Sequence, residues 1–454
     1  MGVAVAQVDP RTEQIDPTPR PRWNAVTRVG FRFCVLYFGL FCLLDPQITF
    51  TFTGWVRSLL PAEASLWLVR PLSPLVQWVG RTVFGTEAVL HTDSVSGDQR
   101  FHWVLVCCVL VVSLAATLVW SVLDRRRGDY RRLAGWFWLL LRLCLAGQML
   151  YYGVVKAIPT QMPAPSLTTL LQPYGSFTPM GVLWNQVGAS RPYEILLGCA
   201  ELTAGILLLI PRTAVLGLLL SLVSLGQVFV LNMTFDVPVK ILSGHLLLIC
   251  LVLLAPQAGR LLEVLVLERT PGPIALPHPF TTARGRRIGT AAQVVVGVWV
   301  LSALVHHGWN TWTQVGGGRD RPPLYGIWTV SQFARDGQEV PPLTTDRTRW
   351  RRVVFETPGR LTYQRMDDTM VTAMAQVDTA KHRLDIFALP TAAGTAPHRL
   401  GMARLGFTQP GPDRLHLQGV IDGHRVDIAL DRIDPATLPL QGTGFHWVQD
   451  YQNL

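Results

Sequence analysis

Long apolar runs, separated by short basic or proline-bearing stretches, fill the first two thirds of the chain. Seven of them, at 29–44, 103–122, 133–155, 193–210, 214–231, 239–254 and 288–305, reach or approach the ~20 helical residues that cross a ~30 Å hydrocarbon core. The shorter ones are expected to tilt at their ends or thin the bilayer. A further stretch, 66–83, is interrupted by Arg70, Pro71, Pro74 and Arg81, and reads as an amphipathic helix lying at the interface. Beyond residue 310 the period changes. Gly316-Gly317-Gly318 and Pro322-Pro323 make a linker, and alternating patterns follow at 351–355, 370–377, 383–389, 414–417 and 425–430. Pro358-Gly359, Pro410-Gly411-Pro412-Asp413 and Asp422-Gly423 mark turns between strands, and Asp422-Gly423 predicts a tight hairpin. The expected fold is a mainly α-helical polytopic membrane protein of about seven transmembrane helices, with a C-terminal antiparallel β domain of six to eight strands, a small barrel or a sandwich. The expected divisions are an N-terminal tail over 1–28, a membrane domain over 29–310 and a β-rich domain over 320–454.

Composition agrees with that pattern. Apolar residues make up 49% of the 454, charged residues only 15%, and the mean hydropathy is +0.29. This excludes a simple cytosolic enzyme, a disordered chain and a disulfide scaffold. The net charge of +10 has two sources to choose from, nucleic acid or membrane topology, and position decides between them. With the N-terminus in the cytoplasm, the inner segments hold fifteen basic residues, including the run Arg125, Arg126, Arg127, Arg131 and Arg132, against seven in the outer loops before the tail. The positive-inside rule therefore predicts N-in and, after seven spans, a C-terminal domain outside. Nucleic acid is excluded as a partner; the lipid bilayer is the expected one. A proline-rich tail precedes the first span and no small-residue cleavage pattern follows it, so that span reads as retained. All seven cysteines fall in the spans and no CxxC occurs, which leaves the β domain without disulfides and the chain without a redox or zinc motif.

Polar residues inside spans are costly and mark functional positions. Gln148, Tyr152 and Lys156 recur every fourth residue on one helix face, with Arg142 close to that face. Glu194 and Glu201 share a stripe with Gly198 and Gly205, where a neighbouring helix can approach closely. Asn232, Asp236, Lys240 and His245 lie around the start of the sixth span. Under N-in topology most of these gather toward the outer leaflet, a polar cavity facing the β domain, with Arg142 deeper as a counter-charge for a carboxylate such as Glu201. Of 40 basic residues only three are lysines, and two of these are Lys156 and Lys240. Lysine can be tuned toward base chemistry as arginine cannot, although both lysines also suit anchors snorkelling to headgroups. His245 reads as an interhelical donor, and no metal site is assigned. His446-Trp447 reads as a packed edge pair. The loop 158–190, with five prolines, is either a lid or a packed re-entrant segment, and Thr178-Pro179 starts a short helix in it reaching Trp184.

Tyr152-Gly153-Val154-Val155-Lys156, Gln161-Met162, Pro173, Thr178-Pro179-Met180-Gly181-Val182-Leu183-Trp184, Glu201, Leu231-Asn232 and Asp236-Val237-Pro238-Val239-Lys240 resemble bacterial DoxX-like membrane proteins. The resemblance is firmest over 96–265, and Ser96-Gly97-Asp98, Tyr325-Gly326-Ile327-Trp328 and Gly444-Phe445-His446-Trp447 fit the long members that append an exported domain. The ending Gln452-Asn453-Leu454 departs from the acidic-Tyr-Pro close of that form. More distantly, Tyr-x-x-x-Lys at a helix end is similar to the membrane core of vitamin K-dependent γ-carboxylase-like proteins, where a lysine acts as base toward a hydroquinone; the matching residue is Lys156. These resemblances imply a bacterial cytoplasmic (inner) membrane location and quinone-linked chemistry. Together with the costly polar positions in the spans, they point to Lys156, Glu201 and Tyr152 as catalytic residues, with Gln148, Arg142, Glu194, Asn232, Asp236, Lys240 and His245 binding the ligand. No covalent cofactor is encoded, so a quinone or prenyl lipid is the expected ligand and an exported or redox protein the expected source of electrons. The other reading is a non-catalytic scaffold docking an exported partner through its β domain. Transport is disfavoured because no inverted repeat is visible.

Overall fold

The computed structural model describes residues 23–270, 279–280, 282–389 and 401–450; the start of the N-terminal tail and the Gln452-Asn453-Leu454 ending lie outside them. Helix α1 (Ala25–Leu44) begins at Asn24, whose side chain accepts the Thr27 N–H, and ends at Asp45. Asp45 in turn caps α2 (Pro46–Thr51) by accepting the Ile48 N–H, with Pro46 in the first turn where its missing donor costs nothing. The stretch expected as one interfacial helix over 66–83 is different. Its prolines keep the chain in 3-10 turns as far as Leu72, and only then does α3 (Ser73–Phe84) form, closing on Gly85 at φ +61. Then come α4 (Arg100–Leu123), α5 (Arg131–Ala157), α6 (Pro179–Gly188), α7 (Arg191–Leu209), α8 (Ala214–Thr234), α9 (Lys240–Leu254), α10 (Ala258–Leu265) and α11 (Ala283–Gln314). Among the described residues seven segments are long and apolar enough to cross a membrane, namely α1, α4, α5, α7, α8, the Lys240–Leu265 run and α11. Each matches an expected span; α1, the Lys240–Leu265 run and α11 exceed it by a turn or more at an end. On α4, Leu118 and Leu123 are 68% and 79% exposed, an apolar face that lipid satisfies and water does not. The chain is a multi-pass membrane protein.

The β domain is a closed barrel. Its strands are β1 (Gly326–Arg335), β2 (Gln338–Glu339), β3 (Trp350–Phe355), β4 (Arg360–Arg365), β5 (Met370–Asp378), β6 (Arg383–Phe387), β7 (Gly401–Gly411), β8 (Arg414–Ile421) and β9 (His424–Ile433). Neighbours along the chain pair antiparallel, except that β2 is a short flap on the end of β1 and β3 pairs with β1 directly. β9 returns to β1 from Ile327↔Ile433 to Arg335↔Val426, which closes an eight-stranded ring and leaves no long free edge. Inward-facing Val353, Leu361, Leu384, Leu405, Leu417 and Ile428 are sealed in the core. Asp422-Gly423 forms the expected two-residue hairpin, Ile421 opposite His424, with both turn residues at positive φ. A short α12 (Pro439–Gly442) follows, and His446 and Trp447 are exposed, so the expected packed edge pair does not form.

The chain falls into two compact units. One comprises Met1–Gln148, Ala204–Phe229 and Pro238–Val300; the other comprises Met149–Thr203, Val230–Val237 and Leu301–Leu454, and contains the barrel.

Candidate functional site

Within the barrel-containing unit, α5 and α7 touch backbone to backbone at two glycines. A Cβ on Gly198 would lie 2.3 Å from the Ala157 nitrogen, and one on Gly153 would lie 2.6 Å from the Leu202 nitrogen. Only residues without side chains allow this approach. Three residues beyond each glycine, one turn along its helix, stand Lys156 and Glu201. The close crossing therefore delivers them to each other: Lys156 Nζ donates to Glu201 Oε1 at 2.8 Å and Oε2 at 2.6 Å, with both side chains less than a tenth exposed. The Tyr152 ring lies one turn back, its centroid 5.3 Å from Nζ, where its negative face supports the ammonium.

A second carboxylate belongs to the same unit. Glu194 is fully buried at the first turn of α7, where the helix dipole favours negative charge. Its Oε1 accepts the Met162 N–H at 2.9 Å, and its charge is coupled to those of Lys156 and Arg191. Glu194 Oε2 and, one residue before Met162, Gln161 Oε1 are buried acceptors with no donor among the described residues. The cluster thus holds two carboxyl groups for one lysine, with two acceptor positions to spare. Chemically it can hold a proton and accept hydrogen bonds from a hydroxyl.

The loop after α5 is pinned rather than free. Thr160 and Gln161 N–H groups both return to the Val155 carbonyl, and the Gln161 carbonyl accepts from the Trp184 indole. Thr178 caps α6 as expected, but the helix runs past Trp184 to Gly188, which packs directly on the Met162 and Pro163 carbonyls. Further along, Leu167 is buried against Ile327 and Val354, on the outer faces of β1 and β3, and its N–H donates to Glu356 at 3.0 Å. Arg319 donates to the Glu356 carbonyl. One end of the barrel is therefore docked on the loop that follows Lys156, which favours the packed reading of that loop.

The remaining expected residues do not converge on this cluster. Arg142 is not the counter-charge of Glu201: it donates to Gln293, and Lys156 fills the role assigned to it. Gln148, on the same face as Lys156, is used instead by α2, accepting from Gln47 at 3.0 Å and donating to the Thr51 hydroxyl at 3.0 Å. Lys240 starts α9 beside Asp98, whose two oxygens accept the Lys240 and Ile241 N–H groups and whose Oδ2 lies 3.9 Å from Nζ. Asn232 is buried and its carbonyl accepts the Val237 N–H, while Asp236 turns the chain at φ +53. His245 stacks on Phe41 at 3.9 Å, bonds the Ile241 carbonyl through Nδ1 and meets the Tyr37 hydroxyl through Nε2. A carbonyl only accepts, so Nδ1 carries the proton and Nε2 accepts from the Tyr37 hydroxyl, the interhelical contact expected of it; no metal-type cluster occurs among the described residues. Sequence reasoning missed Met162 and Glu356 as partners. Met162 acts through its backbone, which no side-chain motif reports, and Glu356 is a lone acid after a strand.

Fold and site together define a multi-pass membrane protein that couples a helical core, with a buried lysine–carboxylate pair, to a C-terminal β-barrel. Over 113 residues, 25% of this chain and 71% of the relative's length, it is 34% identical to the uncharacterized protein YwoB of Bacillus subtilis (strain 168), and it belongs to the family of that protein. No protein-family model matches the chain, and no solved structure matches it.

Proposed function

We propose that this is a DoxX-like protein of the bacterial cytoplasmic membrane, N-terminus inside and barrel outside, whose Lys156 cluster binds the head of a quinone-like or lipidic molecule. In this reading Lys156 faces negative charge developing on the ligand oxygen, and the carboxyl groups of Glu201 and Glu194 take and return protons. Tyr152 supports the ammonium. A partner protein supplies the electrons, because no electron carrier is encoded. The observation that carries the proposal is the composition of the cluster: a buried 2.6 Å lysine–glutamate pair with a second buried glutamate whose outer oxygen lacks a donor. Quinone reduction consumes protons along with electrons, and a buried site with more carboxyl than ammonium is suited to deliver them.

The test is mass spectrometry of lipids and quinones that co-purify with the full-length protein and with Lys156→Ala. Enrichment of a quinone or prenyl lipid with the wild type, reduced about tenfold or more in the variant, is expected. If neither preparation is enriched, the proposal fails. The second reading, a scaffold docking an exported partner, would then lead. It draws on the segment after α12, where Phe445, Trp447 and Val448 are 78%, 92% and 78% exposed, aromatic surface of the kind that anchors protein interfaces.

A further inference from the structure

The barrel end remote from the docked loop has its own chemistry. Docking uses the start of β1, the end of β3 and the end of β9. At the opposite end, where β1 finishes and β3 and β9 begin, the ring encloses a cavity of about 120 Å³. Its floor is aromatic: Phe333, Trp350 and Tyr363 are buried, with the Trp350 and Tyr363 rings stacked at 4.8 Å. Three guanidinium groups line it, from Arg335 at the end of β1, Arg365 at the end of β4 and Arg347 on the loop before β3. Arg335 and Arg365 are half-buried, Arg347 is exposed, and none of the three makes a salt bridge or side-chain hydrogen bond to a described residue. Asp422 is the one carboxylate in the lining; Asp336 and Asp346 beside Arg335 and Asp367 beside Arg365 offset the positive charge from outside it.

We infer that this mouth is a binding site for a small oxyanion, a phosphate or carboxylate group, held by the three arginines over the aromatic floor. Arginine forks match the geometry of such groups and bind them in pairs of hydrogen bonds. Cavity size limits the ligand further. A water occupies about 30 Å³ of liquid, so the space admits a group the size of a few waters. The rest of the lumen is filled by Leu361, Leu384, Leu405 and Leu417, each 0–1% exposed, which leaves no channel for an acyl chain. The anion is therefore either a free small molecule or the headgroup of a lipid whose chains stay outside the barrel.

The experiment titrates the purified full-length protein in detergent with inorganic phosphate and with acetate, by calorimetry and by tryptophan fluorescence, which Trp350 reports from the floor. A parallel arm measures flotation of the protein in nanodiscs with vesicles of phosphatidylcholine alone or with added phosphatidic acid. Saturable binding of either free anion, weakened about tenfold or more in Arg347→Gln and abolished in Arg335→Gln/Arg347→Gln/Arg365→Gln, supports the site with a free ligand. Flotation dependent on phosphatidic acid and lost in the same variants, without free-anion binding, supports it with a lipid headgroup. Arg347 is on an exposed loop, so its single variant folds even if the triple does not. Absence of binding in both arms, or binding unchanged by Arg347→Gln and by Arg347→Glu, overturns the inference.

Discussion

Lys156 and Glu201 meet with their side chains almost wholly buried, whereas Arg335, Arg347 and Arg365 line an open cavity with one carboxylate in its lining and keep some contact with water. Both clusters belong to the same compact unit. In the first, opposite charges are matched inside the chain, and two glycines bring the helices close enough to keep water out. In the second, strand ends deliver like charges to a small open cavity, and solvent tolerates the mismatch. Taking an ion out of water costs several kcal/mol, so a buried site must supply its own counter-charge while a mouth can wait for one. The helical cluster thus carries its counter-charge within the chain, and the barrel mouth leaves part of its charge to solvent.

The comparison breaks most sharply if the buried pair is halved. Lys156→Ala strands Glu201 and is expected to cost about 3–5 kcal/mol of stability, whereas Lys156→Met combined with Glu201→Leu returns to within about 1 kcal/mol of wild type or exceeds it. Denaturant unfolding in micelles measures both, and a single variant as stable as the wild type would show that the pair is not sealed from water.

The opposite is expected at the barrel mouth, where replacing Arg335 or Arg347 by Gln relieves repulsion and shifts stability by no more than about 0.5 kcal/mol in either direction. A loss of several kcal/mol in the barrel's thermal transition would reveal a hidden structural partner.

Smallest of all is the effect of acid on the barrel surface. Several aspartates of the barrel surface are held below the ordinary carboxylate range: Asp336 by the His424 ring, Asp346 by the Arg349 N–H, Asp367 by Thr369 and Asp378 by the Lys381 N–H. A lowered folded-state value means their contribution is complete above the ordinary aspartate pKa of about 4 and is lost as pH falls through the lower folded values. The barrel's melting temperature should therefore decline modestly below about pH 4, and Asp336→Asn should flatten that decline. A profile that Asp336→Asn leaves unchanged would remove the His424 contact from the account.

The helices were legible because lipid demands a long uninterrupted apolar run, β3 by its run from Arg351 to Phe355, and β5, β6, β8 and β9 because one face of each is wet. The strands that escaped notice have physical reasons. On β1 the outward Ile327 is covered by Leu167, so both faces are apolar near its start and alternation disappears. On β4, Thr362 and Gln364 are buried beside Leu361 and Tyr363. On β7, Pro410-Gly411 lies in the strand, which moves the turn on to Pro412-Asp413. At the site, Gly198 and the Glu194/Glu201 stripe were visible as spacing, because a helix repeats its faces. The pairing of Glu201 with Lys156 rather than Arg142 was not, because it depends on which helices cross and how far along.

Barrel closure also constrains biosynthesis. β1 finds its second neighbour only in β9, about a hundred residues later, so the ring cannot shut until nearly the whole domain has left the ribosome. A chain stopped after Ile421 would present two unpaired strand edges, β1 and β8, of the kind that recruit other chains. Pairing of the last strand therefore covers two edges at once, and a chain without it is expected to aggregate more readily than the finished one.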